Sequence, residues 1–154
     1  MGTQDKFFEK IAEYKLVRVS VRSICLQESH VLVEQPADNP HACYSFIGGE
    51  LEFGELMESA LKREYQEEIG LETRILRYLF VVENRFQFND KLIHSLEHYF
   101  QTEIEQTKIT SQESDLIQHW LPIKHIKDYD LRPHIVRDAL DDGSWQTAKR
   151  LIVS

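Results

Sequence analysis

Residues 56–70 read LMESALKREYQEEIG, and the fold and the chemistry to be expected both follow from how this stretch is arranged. Met57, Ala60, Leu61 and Tyr65 recur at helical spacing, and Gly70 is a helix terminator, so the spacing predicts a helix over Leu56–Ile69. On a wheel turning ~100° per residue with Glu64 at zero, Met57 falls near ~20°, Leu61 near ~60°, Tyr65 near ~100° and Ala60 near ~320°. Glu68 falls near ~40° and Glu67 near ~300° on the same wheel. All three carboxylates thus sit within or beside the apolar stripe. Ser59, Lys62, Arg63 and Gln66 take the opposite side.

Acids at i, i+3 and i+4 repel one another by a few tenths of a kcal/mol even when solvated. Partial burial sharpens the repulsion or forces a carboxyl to become neutral. Two readings are open from the helix alone. The acids form a solvated face supported by an Arg63–Glu67 pair, or they hold a divalent cation with oxygen ligands.

Working outward, Gly48 and Gly49 form a turn ahead of the helix, after a short strand Tyr44–Ile47. Leu16–Leu26 alternates, with Val17, Val19 and Val21 on one side and Arg18, Ser20 and Arg22 on the other, which predicts a strand with one buried face. His30–Gln35 reads as its antiparallel neighbour. Pro36–Pro40 is a loop by its turn residues. Thr73–Phe88 and Leu92–Ile104 read as long strands joined through Asn89 and Asp90. Gln106–Ser114 is polar and reads as a mobile loop, Trp120–Pro122 as the start of a strand or turn. Asp5–Tyr14 and Pro133–Leu140 read as helices, the second with proline in its first turn. Strands interleaved with two or three helices predict an α/β or α+β sandwich.

The chain has 154 residues, 42% hydrophobic and 29% charged, which suits one domain with its own core. A formal net charge of -8 with no basic stripe argues against a nucleic-acid partner. No apolar run approaches the ~20 residues of a membrane span, and no apolar segment follows the first residues, so a cytoplasmic, soluble protein is expected. Cys25 and Cys43 have no metal or disulfide spacing and read as buried reduced thiols.

The segment Gly49-Glu50-Leu51-Glu52-Phe53-Gly54-Glu55, seven residues, then Arg63-Glu64-Tyr65-Gln66-Glu67-Glu68-Ile69-Gly70-Leu71 resembles the complete Nudix box of the MutT-like hydrolases. That signature is G-x5-E-x7-R-E-U-x-E-E-x-G-U, with U a bulky aliphatic, and every fixed position matches. Tyr65 at a U position is a soft departure. Ile47 stands where many relatives have proline before the two glycines, which loosens the turn and removes no ligand.

The resemblance implies a Nudix-type α/β/α sandwich with a central mixed β-sheet, as one domain over residues 1–154. It implies a hydrolase that uses Mg²⁺ or Mn²⁺ to cleave a diphosphate bond in a small nucleotide-like substrate. By the same resemblance, the Gly48 carbonyl, Glu64, Glu67 and Glu68 are metal ligands, and Glu64 is also a candidate base. Gly49, Glu55, Arg63 and Gly70 are structural, with a Glu55–Arg63 salt bridge bracing loop against helix. Relatives often recruit an acid from outside the box, for which Glu113 is the first candidate, with Asp115 and Glu97 behind it. Arg18 and Arg22 share a strand face and are candidates for a substrate phosphate. Arg85, near Glu83 and His94, is a third. Phe86, Phe88 and Tyr99 are read as core before they are read as base-stacking surfaces. A homodimer is implied only by the habit of many relatives.

Two rivals to the enzyme are a Nudix-fold module that senses a nucleotide without cutting it and an isomerase of isoprenoid diphosphates. Degenerate modules usually lose box carboxylates, and this chain keeps them all. The isomerase calls for cysteine and glutamate motifs that are not placed here. Markers that some relatives carry for ADP-ribose, dinucleoside polyphosphates or coenzyme A are missing.

Overall fold

A computed structural model describes residues 3–113 and 115–153. Its elements run α1 (Thr3–Glu13), β1 (Val17–Gln27), β2 (His30–Pro36), β3 (Tyr44–Phe46), β4 (Gly48–Glu50), α2 (Met57–Ile69), β5 (Arg74–Phe88) and β6 (Lys91–Glu103). β7 (Leu116–Pro122), a 3₁₀ segment (Ile123–Asp128), β8 (Leu131–Arg132), α3 (His134–Asp142), a second 3₁₀ turn (Ser144–Gln146) and β9 (Arg150–Val153) complete it.

The strands form one curled mixed sheet in the order β8-β3-β2-β1-β6-β5-β9, with β4 also on β1 and β7 also on β2. β1 is the member that turns the corner. Val17–Cys25 pairs in parallel with β6, whereas its end, Leu26 and Gln27, pairs antiparallel with β2. The β5–β6 hairpin turns on Asn89 and Asp90, both at positive φ, the geometry that a two-residue hairpin requires and that Asn and Asp tolerate. This mixed α+β arrangement, with helices against a central mixed sheet, is the fold class the sequence implied.

Two apolar clusters fill the space on either side. One lies under α2 and gathers Val21, Cys25, Leu32, Ile47, Leu61, Tyr65, Ile69 and Phe100. The other lies inside the curl, with Ile24, Phe46, Phe80, Tyr99 and Leu131 packed against Val136 and Leu140 of α3. Full burial of an aliphatic side chain of this size contributes about 1.5–3 kcal/mol, so α2 is pinned to the sheet by its stripe. Its C-terminus is closed by Gly70 at φ 65, whose N–H donates to the Gln66 carbonyl.

Several expectations need correction. β1 is buried on both faces: Ser20 is fully enclosed and Arg18 and Arg22 are only partly exposed, because their face looks into the curl of the sheet. The loop after β6 is tied down, by Trp120 Nε1 donating to the Thr107 carbonyl and Gln112 N–H donating to the Glu68 carbonyl (2.8 Å each); Ser114 lies outside the described residues. Pro133 precedes α3 as its N-cap, with the helix starting at His134. Cys25 is buried, but Cys43 is only half-buried. β9, short and parallel to β5, is an addition to the sequence reading. Among the described residues no helix is long and apolar enough to cross a membrane.

Candidate active site

The site grows from the pairing of β4 with β1, which sets Gly49 opposite Val21 and Gly48 opposite Arg22. At Gly48, with φ +151, a Cβ would lie 2.0 Å from the Val21 carbonyl oxygen, so the strand pair can close only over a glycine. At Gly49 a Cβ would lie 2.3 Å from Glu64 Oε1 and 2.5 Å from its Cδ. The Glu64 carboxylate therefore rests on bare backbone, which is why the glycine turn and the acid of the next helix belong to one unit.

Arg63 locks that unit. Its Nη2 donates to Glu55 Oε1 at 2.8 Å and its Nε to Glu55 Oε2 at 3.2 Å. The same guanidinium donates to the Glu50 carbonyl (3.0 Å), to Glu64 Oε1 (2.9 Å) and to Glu67 Oε2 (3.2 Å). The hydrogen bonds from Arg63 push the Glu55 carboxyl below its usual range. Loop, turn and helix thus hang on one planar fork, a geometry that lysine cannot reproduce.

The three acids of α2 do not share one environment, contrary to the wheel. Glu64 is partly buried against Gly49, whereas the Glu67 side chain is 50% exposed and leans on Arg63. Glu68 is buried, at 5% exposure. Its neighbour is Glu34 on β2, itself 4% exposed, and one oxygen of each carboxyl has no hydrogen-bonding partner. Burial first, and then the neighbouring acid, pushes the Glu68 carboxyl far up; burial likewise raises Glu34.

Glu34 was not singled out from the sequence. The signal is there in hindsight: a charge in the middle of His30–Gln35, spaced by two from Leu32 and so on the face that Leu32 buries under α2. Gln118, opposite Glu34 on β7, shares that face.

The other sequence candidates separate clearly. Glu113 is brought to the site: its carboxyl is raised by partial burial and by the charges of Asp115, Glu64 and Glu67. The Gln112–Glu68 backbone bond holds its loop there. Arg18 and Arg22 both face inward. Burial and the like charge of Arg22 bring Arg18 down to about 10, against the pull of Glu97 and Glu64. Arg18 also pairs with Glu50. Burial works against the Arg22 charge too, but Glu97, with Tyr99, Glu34 and Glu68 behind it, outweighs it. Arg85 does not belong: it is exposed and in register with His94, on the sheet face opposite to Arg18 and Arg22. Gly70 acts only as the cap of α2.

Among the described residues no three His, Cys, Asp or Glu side chains already stand at metal-ligand spacing. The donor set nevertheless fits a hard divalent cation. Two buried carboxyls present unpartnered oxygens, and Glu64 lies over a turn whose carbonyls have no side chain to shield them.

A curled mixed sheet carrying a glycine turn and an acid-bearing helix braced by one arginine defines a pyrophosphohydrolase-like domain. The sequence matches the NUDIX domain over residues 16–140, and the chain belongs to that family and to its class of Nudix pyrophosphohydrolases. No curated protein is matched. Solved structures with the same fold include a MutT NUDIX hydrolase from Burkholderia pseudomallei (23% identity, TM-score 0.64, covering 85% of this chain and 98% of that one). A MutT protein from Methanosarcina mazei is similar at 15% identity and TM-score 0.67, over 83% and 93% of the two chains. An ADP-ribose pyrophosphatase from Streptococcus suis is similar at 14% identity and TM-score 0.64, over 87% and 98%.

Proposed function

We propose that this protein, as one domain over residues 1–154, hydrolyses a diphosphate bond in a small nucleotide-like substrate with Mg²⁺ or Mn²⁺ as cofactor. The substrate is a nucleoside diphosphate linked to another moiety, or a nucleoside triphosphate. The observation that carries this reading is the contact of Glu64 with Gly49, braced by Arg63, which sets the box carboxylates beside a glycine turn. A sensing module has no use for that bracing, and all the box acids are present.

Glu64, Glu67, Glu68 and the Gly48 carbonyl would hold the cation, and Glu34 would supply a further carboxyl. When bound there, such a cation would supply positive charge against the diphosphate oxygens and lower the pKa of a coordinated water. Glu64, or Glu113 from its loop, accepts the proton of the attacking water. Arg18 and Arg22 draw the substrate phosphates into the sheet, where partial burial strengthens each charge contact. Pairing of two copies, a cytoplasmic location and freedom from nucleic acid and membrane complete the proposal.

The test is phosphate release over a panel of nucleotides with Mg²⁺ or Mn²⁺. Glu68→Gln should lower kcat at least ~100-fold with the fold intact, since charge stabilisation by the cation carries most of the rate. Near-normal turnover in that variant would remove the site assignment.

A further inference from the structure

The phosphate chemistry does not use the next part of the inner sheet face. There β1, β6 and β5 run side by side, with Ser20 in register with Glu97, Arg18 with Ser95, and Ser95 with Asn84. Ser20, Ser95 and Glu97 are buried, and neither serine hydroxyl has a hydrogen-bond partner. The Glu97 carboxylate receives a single long bond, from Asn84 Nδ2 at 3.3 Å. A buried polar group without a partner costs on the order of 1–3 kcal/mol, so a row of them asks for a ligand.

The row adjoins the phosphate end, since Ser20 lies in register with Glu50, Val21 with Gly49 and Arg22 with Gly48 of the glycine turn. At its far end stands an aromatic wall. Phe86, two residues beyond Asn84 on the same strand face, meets Phe8 of α1 edge-on with centroids 5.9 Å apart. Asn84 and Phe86 are half-buried there, and Phe8 lies 5.6 Å from the Arg18 guanidinium as well, so α1 borders this end of the row.

We propose that this row receives the group attached to the diphosphate, and that it takes a nucleobase bearing an exocyclic amino group. Glu97 accepts from that amino group and Asn84 positions Glu97. The proposal rests on the hydrolase reading above. A carboxylate accepts hydrogen bonds only, so it favours an amino edge and repels a keto oxygen or a second phosphate. The hydroxyls argue against an apolar chain, which would leave them unsatisfied. The aromatic wall suits a flat ring.

Matched pairs vary the amino group: GMP and IMP differ in it alone, whereas CMP against UMP and AMP against IMP also exchange an amino group for a keto oxygen and a ring acceptor for an N–H. Their binding to the full chain, measured by calorimetry with Mg²⁺ present, does not require turnover. The amino member should bind about tenfold or more tightly in at least one pair, the scale of one hydrogen bond to a buried charge. Glu97→Gln, whose amide can both donate and accept, should bring that ratio to within about twofold and should act on KM more than on kcat for the triphosphates. Equal binding within every pair, which a pocket for a sugar would give, overturns the proposal even if the triphosphates are hydrolysed. Base-selective binding without any phosphate release would instead count against the hydrolase reading and leave this one standing. Because the comparison of these pairs uses the unaltered protein, a poorly folded variant does not decide the outcome.

Discussion

Replacing Gly49 with alanine separates the fold from the chemistry. The added Cβ would lie 2.3 Å from Glu64 Oε1, 2.5 Å from Cδ and 2.8 Å from Oε2, and no backbone atom is among these nearest contacts. The atoms in the way are the end of a flexible side chain, so the carboxylate moves and the strand stays. The stability cost is the Arg63–Glu64 contact, a partly exposed pair that contributes about 0–1 kcal/mol. Restricting the unfolded chain at a former glycine returns about 0.4–1 kcal/mol. The two nearly cancel, and the net change should stay within about 1 kcal/mol. The Glu64 oxygens, however, must retreat by about 1 Å to reach ordinary van der Waals contact, a displacement that costs about 100-fold in a positioned active site. Gly48→Ala is the control. Its Cβ would meet the Val21 carbonyl oxygen at 2.0 Å and the Arg22 Cα at 2.9 Å, both backbone, so the β1–β4 pair itself must part. Denaturant melts and initial rates of phosphate release with Mg²⁺ should therefore place Gly49→Ala at near-native stability with kcat down about 100-fold, and Gly48→Ala at several kcal/mol lower stability. Unchanged kcat in Gly49→Ala, or an equal loss of stability in both, would refute the contact between turn and helix on which the site is built.

Arg63→Lys should lower kcat by roughly tenfold or more and loosen the loop before α2, since a point ammonium cannot serve both Glu55 oxygens, Glu50 and Glu64 together; limited proteolysis at Glu52–Leu56 reads the second effect. Tyr65→Phe should cost about 1–2 kcal/mol in a urea melt and lower kcat less than Gly49→Ala does, because its hydroxyl bonds Ser23 Oγ (2.7 Å) and Thr102 Oγ1 (3.1 Å) in the core and touches none of the box acids. Asp130 is held below its usual range first by its bond to Arg132 and then by His134. A depressed carboxyl contributes stability above its unfolded value near ~3.9 and loses it as pH falls through the lower folded value. Asp130→Asn should therefore lower the melting temperature at pH 7, where the pair is formed, and flatten its fall below about pH 4, so that variant and parent converge in acid; an unaltered acid limb would show that the pair is not formed in solution.

The extent to which the sequence could be read follows from which forces are local. The helix Leu56–Ile69 and its stop at Gly70 were legible because period and cap are local properties, and the hairpin at Asn89–Asp90 because positive φ selects those residue types. Glu113 was reachable only as a guess by loop position; what brings it to α2 is a backbone bond between Gln112 and Glu68, 44 residues apart in the chain, which no composition reveals. Arg18 and Arg22 were assigned correctly to one face, but that face was expected to meet solvent, since alternation tells which residues share a side and not what covers it. The curl of the sheet decides that, and the curl comes from β1 changing partners from β6 to β2 near Leu26. Arg85 failed for the same reason in reverse: its odd position on β5 puts it on the outer side. Glu34 is the instructive miss. Single-strand logic makes a charge amid Val31, Leu32 and Val33 an irregularity, yet once β2 and α2 face each other it is the partner of Glu68. A buried pair of like-charged acids is destabilising to the chain by itself. Its presence beside the glycine turn is therefore better explained by what the two carboxyls bind than by what they contribute to folding.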